Sequence, residues 1–403
     1  MARVSGERPH EEGEKHVEDK FPEGGWRAWS VAIGNAGIMF CTLGHVNTWG
    51  VYQAYYEVNQ LRGHSPSAIA WIGSLQAFSI FAAGLVGGPL FDRIFMTSLC
   101  KEYWQFMLAQ GVLGGLANGF TMAPSMAATP QNFKEKRGAA MGIAIAGSSL
   151  GGVVLPIAAN RFLTRTNLGF GWSIRIIGFI IMGLLIPSCL PIKARLPPRK
   201  SDFFLPSAFK EPVYTLLVAC MFFLFLSMFP LLFLIPSYAL SQGMSTSLAF
   251  YTQSILNAAS FPGRVIPAIL SDKLWKQNVL AAAGISSGIL ALCWQRVQGN
   301  AGILVFAAVY GFRSGAIISG TSVSLASVPR DARNIGTYMG MGVASLAALV
   351  GPPISGALVS RYHGFSPVAD FCGVICLFGA GSVVVKVISG NSLLSKSWAS
   401  LVD

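Results

Sequence analysis

The stretch FKEKRGAAMGIAIAGSSLGG, residues 133–152, joins a cluster of basic residues to a long apolar segment. Lys134, Lys136 and Arg137 favour water and anionic lipid headgroups, whereas the residues from Gly138 onward are mostly apolar and are punctuated by glycines. Basic loops beside a membrane segment stay in the cytosol, and small residues let membrane helices pack closely. The stretch therefore predicts a cytosolic loop that leads into a tightly packed membrane helix.

The whole chain has the composition of a helical membrane protein. Of its 403 residues, 53% are hydrophobic and 11% are charged, whereas soluble domains carry about 25% charged residues. Apolar runs of roughly 20 residues recur, each long enough to cross the hydrocarbon core as a helix. The net charge of +12 could suggest a nucleic-acid partner, but the basic residues lie in short loops between apolar runs. We therefore expect a lipid bilayer around the chain and no nucleic-acid partner.

Eleven apolar segments are predicted to be full membrane helices, arranged in two halves. In the first half, residues 27–192, they cover 29–52, 67–90, 103–126, 138–160 and 172–191; in the second half, residues 213–389, they cover 213–238, 248–270, 279–295, 301–325, 336–359 and 367–388. A polar, proline-containing linker at 193–212 separates the halves. We expect cytosolic tails at 1–26, disordered, and at 390–403, because basic residues concentrate in the loops that this orientation places inside.

A weak internal repeat relates the two halves. GPLFDR at 88–93 matches PAILSDK at 267–273, and RGAAMG at 137–142 matches RNIGTYMG at 333–340. The interval from Asp92 to Arg137 is 45 residues, but that from Asp272 to Arg333 is 61. The difference is nearly one membrane span. We therefore predict that helix 3 is reduced to a stub at residues 94–100.

These motifs resemble the monocarboxylate porter family of the major facilitator superfamily, especially its fungal branch of riboflavin permeases and metabolite-cluster transporters. The resemblance covers nearly the whole chain from Phe21 onward. It is carried by EGGWRAW at 23–29, GVYQAYYEVNQLRGHSPSAIAWIGSLQ at 50–76, the stretch 133–152 and GPPISGAL at 351–358. It implies an all-α fold with two pseudo-symmetric six-helix halves. Because relatives carry a full helix after FDR, the short segment here indicates a faulty gene model or a decayed gene, or else a working shortened protein.

Charged and polar residues inside membrane segments are the first candidates for a substrate site, because they are costly in lipid. By resemblance, Arg264 matches the helix 8 arginine that binds the substrate anion in carboxylate-transporting relatives; the alternative is a structural arginine bound to backbone carbonyls. Arg313 either lines the cavity or is a local peculiarity. The polar candidates near the presumed cavity are Asn47, Gln53, Asn257 and Tyr338.

The superfamily's loop motif implies a second class of residues. Asp92 with Arg93, and Asp272 with Lys273, resemble the motif that gates the inner face. The carboxylate porters have an aspartate at the position of Ser260 and a lysine near that of Asn47. Since the acidic residues outside the N-terminal tail lie in loops or at helix ends, proton coupling through a carboxylate relay is not expected.

The sequence predicts a secondary transporter and not an enzyme. It contains no P-loop, HExxH motif or acid pair, and we expect no cofactor and no metal. We expect a monomer in the plasma membrane, or in a vacuolar or other endomembrane, that moves a small organic metabolite, neutral or anionic, by alternating access. Facilitated diffusion and efflux both remain open. The alternative is a non-transporting or inactive truncated pseudo-transporter.

Overall fold

The computed structural model describes residues 24–82, 97–164, 166–192, 206–329, 335–340 and 344–389. All regular structure within these ranges is helical. The turn with Asp92 and Arg93, the C-terminal tail, nearly all of the N-terminal tail and most of the linker lie outside the described residues.

The first half begins with a helical run that is broken twice. The predicted helix at 29–52 occurs as three helices in succession, and a π-helix, Tyr56–Gln60, extends it. Its other helices agree with the predicted positions to within a few residues, apart from the end of α4, which borders undescribed residues. The helices are α1 Gly25–Cys41, α2 Leu43–Val46, α3 Trp49–Tyr55, α4 Pro66–Ala82, α5 Tyr103–Phe106, α6 Gly114–Ala128, α7 Arg137–Thr164 and α8 Gly169–Cys189. A second π-helix, Met107–Leu113, joins α5 to α6.

The second half is built from long helices with short connections. They are α9 Pro212–Ser241, α10 Thr246–Lys273, α11 Lys276–Cys293, α12 Gly299–Ala326, α13 Ile335–Gly340, α14 Ala344–Tyr362 and α15 Ser366–Ser389. The connection between α10 and α11 is two residues long, but α10 packs mainly on α12 and α7, and α11 mainly on α15.

Within the described ranges, seven helical segments are long and apolar enough to span a membrane. They are Gly25–Gln53, Arg137–Thr164, Gly169–Cys189, Pro212–Ser241, Lys276–Arg296, Gly299–Ala326 and Ser366–Val383. The α10 helix has 28 residues but carries many polar side chains. Such a helix suits a position inside the bundle, where its polar face is shielded from lipid.

The most extensive contacts between the halves are made by two helix pairs: α7 packs on α10, and α4 packs on α14. The α7–α10 contact is antiparallel, since Gly138 lies against Ala268 and Asp272 while Gly152 lies against Asn257. At Gly138 an added Cβ would come within 2.2 Å of the Ala268 carbonyl oxygen. The glycines that punctuate residues 133–152 therefore allow the two halves to meet backbone to backbone.

The region of the predicted stub has a clear geometric consequence. The α4 helix and the α5–α6 run point in the same direction, because Tyr103 donates a hydrogen bond of 2.9 Å to the Ala68 carbonyl and Gly115 lies against Ser79. Twenty residues separate Ala82 from Tyr103, and residues 83–96 among them are not described. Of the predicted stub at 94–100, residues 97–100 are described and residues 94–96 are not.

Candidate functional site

A cavity of about 90 Å³ lies between the two halves. Helices from both halves form its walls, and most of the side chains that face it are apolar. The lining residues are Met39, Leu43, Val46, Asn47, Ala77, Ile80, Met122, Met126, Ile145, Met221, Phe225, Met228, Phe229, Leu232, Leu256, Asn257, Ser260, Arg264, Ser314, Ile318 and Ser322. Among the described lining residues, Arg264 is the charged side chain and none is Asp or Glu.

Arg264 lies on α10 and is only 4% exposed. Its Nη1 donates hydrogen bonds to the Ile145 carbonyl, at 3.1 Å, and to the Ser148 hydroxyl, both on α7 of the other half. Within the described part of the chain, its Nε has no hydrogen-bond partner, and neither has the buried hydroxyl of Ser260 one turn earlier. Leaving a buried charged donor unpaired is costly. The guanidinium therefore keeps donor capacity for a ligand.

Asn257 lies two turns before Arg264 on the same face of α10. Its Nδ2 donates to the Gly152 carbonyl at 3.1 Å, and its Oδ1 accepts a hydrogen bond of 3.3 Å from Asn47. Both asparagines line the cavity. Arg264, Asn257 and Asn47, which the sequence singled out separately, thus lie on one polar side of the cavity.

The other three predicted contacts lie outside this lining. Arg313 is half-buried, and its guanidinium carbon lies 5.8 Å from the ring centre of its neighbour Phe312. Gln53 accepts a hydrogen bond of 2.9 Å from the Trp49 indole. The Tyr338 hydroxyl donates to the Glu211 carboxylate at 3.1 Å.

At one end of the α7–α10 contact, charged groups meet helix ends. The Asp272 carboxylate accepts hydrogen bonds from the backbone N–H groups of Gly138, at 2.6 Å, and Ala139, at 2.8 Å, at the N-terminus of α7. Arg137 donates from Nη1 to the Ala326 carbonyl, the last residue of α12, at 3.0 Å. A carboxylate at a helix N-terminus and a guanidinium at a C-terminus both complement the helix dipole. Lys273 is exposed.

A comparison with known protein families identifies the family to which this helical bundle belongs. Residues 35–343 match the family model described as Major Facilitator Superfamily. The chain belongs to the major facilitator superfamily. It is a multi-pass membrane protein of a family of transporters.

The chain is similar to fungal efflux proteins, and it shares its fold with a solved structure. The chain is 48% identical over 379 residues to the aspyridones efflux protein of Emericella nidulans, an alignment that covers 90% of this chain and 78% of the relative. It is 37% identical over 377 residues to the agnestins efflux protein of Paecilomyces divaricatus, covering 88% and 86%. The crystal structure of the human organic anion transporter MFSD10 has the same fold, with a TM-score of 0.69 at 14% identity, over 89% of this chain and all of that one.

The charge lies on one wall of the cavity. The lining residues of α4 are Ala77 and Ile80, whereas those of α10 are Leu256, Asn257, Ser260 and Arg264. The site is therefore polar on the side of α10 and apolar on the side of α4.

In a superfamily transporter the cavity opens to each side in turn. A volume of about 90 Å³ is well below the roughly 300–1,000 Å³ of ligand pockets. One end of the bundle, at the N-terminus of α7, is closed by the α7–α10 contact and by the hydrogen bonds of Asp272 and Arg137. The bundle is thus closed at that end, and the cavity in this conformation is smaller than a typical ligand pocket.

Sequence reasoning missed two features of this site. Ser148 and the Ile145 carbonyl hold Arg264, but nothing in their local sequence indicates which helix they face. The other feature is the concentration of five of the chain's 13 methionines in one lining. The i, i+4 pair of Met122 and Met126 was a detectable signal for a methionine-bearing helix face.

Proposed function

We propose that the chain exports a small organic metabolite with one anionic group, by alternating access. The observation that carries this proposal is Arg264: a buried guanidinium in a cavity whose described lining contains no carboxylate. An anion beside it would neutralise a charge that is otherwise costly to hold inside the membrane. The efflux proteins among the relatives, named for aspyridones and agnestins, support the outward direction.

The polar groups near Arg264 can form further hydrogen bonds with an anionic group of the substrate. The free Nε and the unpartnered Ser260 hydroxyl are donors, and the amides of Asn257 and Asn47 can each donate or accept. Arg264 is the proposed anion contact, with Asn257 and Asn47 as hydrogen-bonding groups. Arg313, Gln53 and Tyr338 remain predicted contacts for another conformation of the cycle.

The Asp272 contact is the proposed inner gate. The basic loop at 133–137 supports a cytosolic position for this end of the bundle by the positive-inside rule. In this orientation both termini are cytosolic and the conformation is closed to the cytosol. Opening inward would separate the Asp272 carboxylate from the N-terminus of α7. Lys273 would remain in water, and Asp92 with Arg93 would act at the equivalent loop of the first half.

Within the superfamily we assign the chain to the fungal branch of the monocarboxylate porter family, with helix 3 shortened and a linker between halves at 193–212. The motifs at 23–29, 50–76 and 351–358 support the branch, and the parallel course of α4 and α6 supports an unusual connection after Ala82. The protein works as a monomer in the plasma membrane, with lipid and its substrate as partners and with no nucleic acid, metal or cofactor. Its role is transport and not catalysis.

Reconstitution tests the proposed function. The purified full chain is placed in lipid vesicles loaded with labelled organic monoacids, and release is compared with that from protein-free vesicles. Release above the protein-free level, lost in Arg264→Ala, is expected. If a version with a restored helix 3 releases the acids and this chain does not, the chain is an inactive truncated relative.

A further inference from the structure

Methionine and phenylalanine supply seven of the fifteen apolar residues that line the cavity. On α9, Met221, Phe225, Met228 and Leu232 follow one another at intervals of four, three and four residues, which forms a single stripe along one helix face. All four are buried and line the cavity. No polar side chain interrupts this stripe.

The first half contributes a matching wall. Met39 of α1 and Met126 of α6 are buried, and Met122 of α6 is half-buried. Because α1 and α6 belong to one half and α9 to the other, thioethers face the cavity from both halves. The space between them is apolar and is bounded on one side by Arg264 and Asn257.

Methionine gives these walls properties that other apolar side chains do not. Leucine would be equally apolar, but methionine has more rotatable bonds and a polarisable sulfur that makes favourable contacts with aromatic rings. Flexible methionine walls also let one cavity bind molecules of different shape. A closed cavity of about 90 Å³ can enlarge by rotation of these side chains when the halves separate.

We propose that the substrate has a flat aromatic or conjugated body, held between these two methionine walls, with its single anionic group at Arg264. This proposal rests on the proposed transport function and names the substrate class of the same cavity. Phe225 and Phe229, with ring centres 5.7 Å apart, add ring faces and edges to the α9 wall. The walls select for ring polarisability, whereas the polar side selects for the charge.

A matched pair of acids separates this selection from simple hydrophobicity. The probes are 2-naphthoate and its fully saturated analogue, decahydro-2-naphthoate, which have the same carbon skeleton and the same carboxylate. The saturated acid is the more hydrophobic of the two, so burial of apolar area alone favours it. Calorimetric titration of the full chain in lipid nanodiscs is expected to show 2-naphthoate binding about tenfold more tightly, from several sulfur–aromatic contacts.

Variants assign the selection to the walls. In the double variant Met221→Leu with Met228→Leu, which conserves side-chain volume, the preference for the aromatic acid is expected to fall to about twofold. The affinity for the saturated acid stays within about twofold. Met244→Leu is the matched control, since Met244 is buried but does not line the cavity, and it keeps the full preference.

Three results would overturn the substrate class: equal or tighter binding of the saturated acid, an unchanged preference in the double variant, or binding of neither acid. The transport function is judged by the vesicle assay and not by this titration. Release of other monoacids with no preference for aromatic acids would contradict only the proposed substrate class. A preference for the aromatic acid in the titration, without any release in the vesicle assay, would contradict only the proposed transport function.

Discussion

The carboxylate of Asp272 accepts a hydrogen bond of 2.6 Å from the backbone N–H of Gly138, across the boundary between the two halves. It accepts a second hydrogen bond from the next residue of α7. An aspartate from one half thus caps a helix of the other. Because the first-turn N–H groups of a helix have no partner within the helix, the contact stabilises the conformation in which this end is closed.

We predict that Asp272→Asn shifts the protein toward the conformation open at this end. Asparagine keeps one acceptor oxygen but loses the negative charge, and hydrogen bonds to charged groups contribute about 1.5–3 kcal/mol. A loss of about 1–2 kcal/mol corresponds to a population change of roughly 5- to 30-fold. Hydrogen exchange of the peptide that contains Gly138 is expected to accelerate by about this factor.

Asp370→Asn is the matched control for this experiment. Asp370 is exposed and accepts a hydrogen bond of 3.3 Å from Gln295, away from the α7–α10 contact. Its replacement leaves the exchange of the Gly138 peptide unchanged. Equal exchange in Asp272→Asn and the unmodified chain would show that the carboxylate does not hold this end closed.

Gly142→Ala is predicted to weaken the same closed contact by steric overlap. A Cβ at residue 142 would lie 2.6 Å from the Ala268 Cβ and 2.9 Å from the Arg264 carbonyl oxygen. Both helices would have to move apart, at a cost of about 1–3 kcal/mol. The measured result is a lower thermal unfolding temperature in detergent.

Gly183→Ala provides the comparison, since no heavy atom lies within 4 Å of the Cβ it would add on α8. Alanine favours a helix by about 1 kcal/mol over glycine, so this variant is expected to be as stable or more stable. If Gly142→Ala also raised the unfolding temperature, the α7–α10 contact would be looser than its geometry requires.

The helices of this bundle were predictable because the membrane imposes strong rules on composition. Apolar runs of sufficient length and basic loops fixed the segments, and the prediction at 138–160 lies within α7, Arg137–Thr164. The breaks near Thr42 and Asn47 in the first helical run were not predicted. At these breaks Thr42 and Thr48 donate hydrogen bonds to the carbonyls of Ile38 and Gly44, four residues earlier, and such side-chain bonds often bend helices.

The candidate site was predictable only in part, since helix rotation decides which side chains face a cavity. Asn257 and Arg264 share a face of α10 by their spacing of seven residues, and both line the cavity with Asn47. Arg313 points elsewhere on α12, while its neighbour Ser314 lines the cavity. The partnership of Ser148 with Arg264 depends on the register between two helices of different halves, which no local pattern records.

Arg264→Ala is predicted to lower the affinity for an anionic substrate by roughly 10- to 100-fold, the equivalent of one or two charge-assisted hydrogen bonds. Arg264→Lys keeps the charge but loses the planar fork, so it is expected to recover about a third of the lost binding free energy. Titration with 2-naphthoate measures both effects.

Arg296→Ala is the control, because Arg296 is exposed and lies outside the cavity. The affinity of this variant for 2-naphthoate is expected to match that of the unmodified chain. Undiminished binding by Arg264→Ala would remove this residue from the site. The same titration of Arg313→Ala decides whether that residue contacts the anion in any conformation of the cycle.

Ser148→Ala is predicted to strengthen anion binding while it weakens the folded protein. The Ser148 hydroxyl accepts a hydrogen bond from Arg264 across the two halves, so an anion must compete with it for the guanidinium. Its removal leaves the Ile145 carbonyl as the α7 partner of Nη1. The free energy of unfolding is expected to fall by about 1 kcal/mol, and the affinity for 2-naphthoate to rise about threefold to tenfold.

Ser149→Ala separates this competition from a general loss of packing. Ser149 is buried beside Ser148, but among the described residues its hydroxyl has no hydrogen-bond partner, and it does not line the cavity. We expect no gain in affinity from its replacement. A gain in Ser148→Ala alone means that substrate binding exchanges a hydrogen bond between the halves for one to the anion, which links occupancy of the cavity to separation of the halves. Lower affinity in Ser148→Ala would instead mean that the serine positions Arg264 for the substrate.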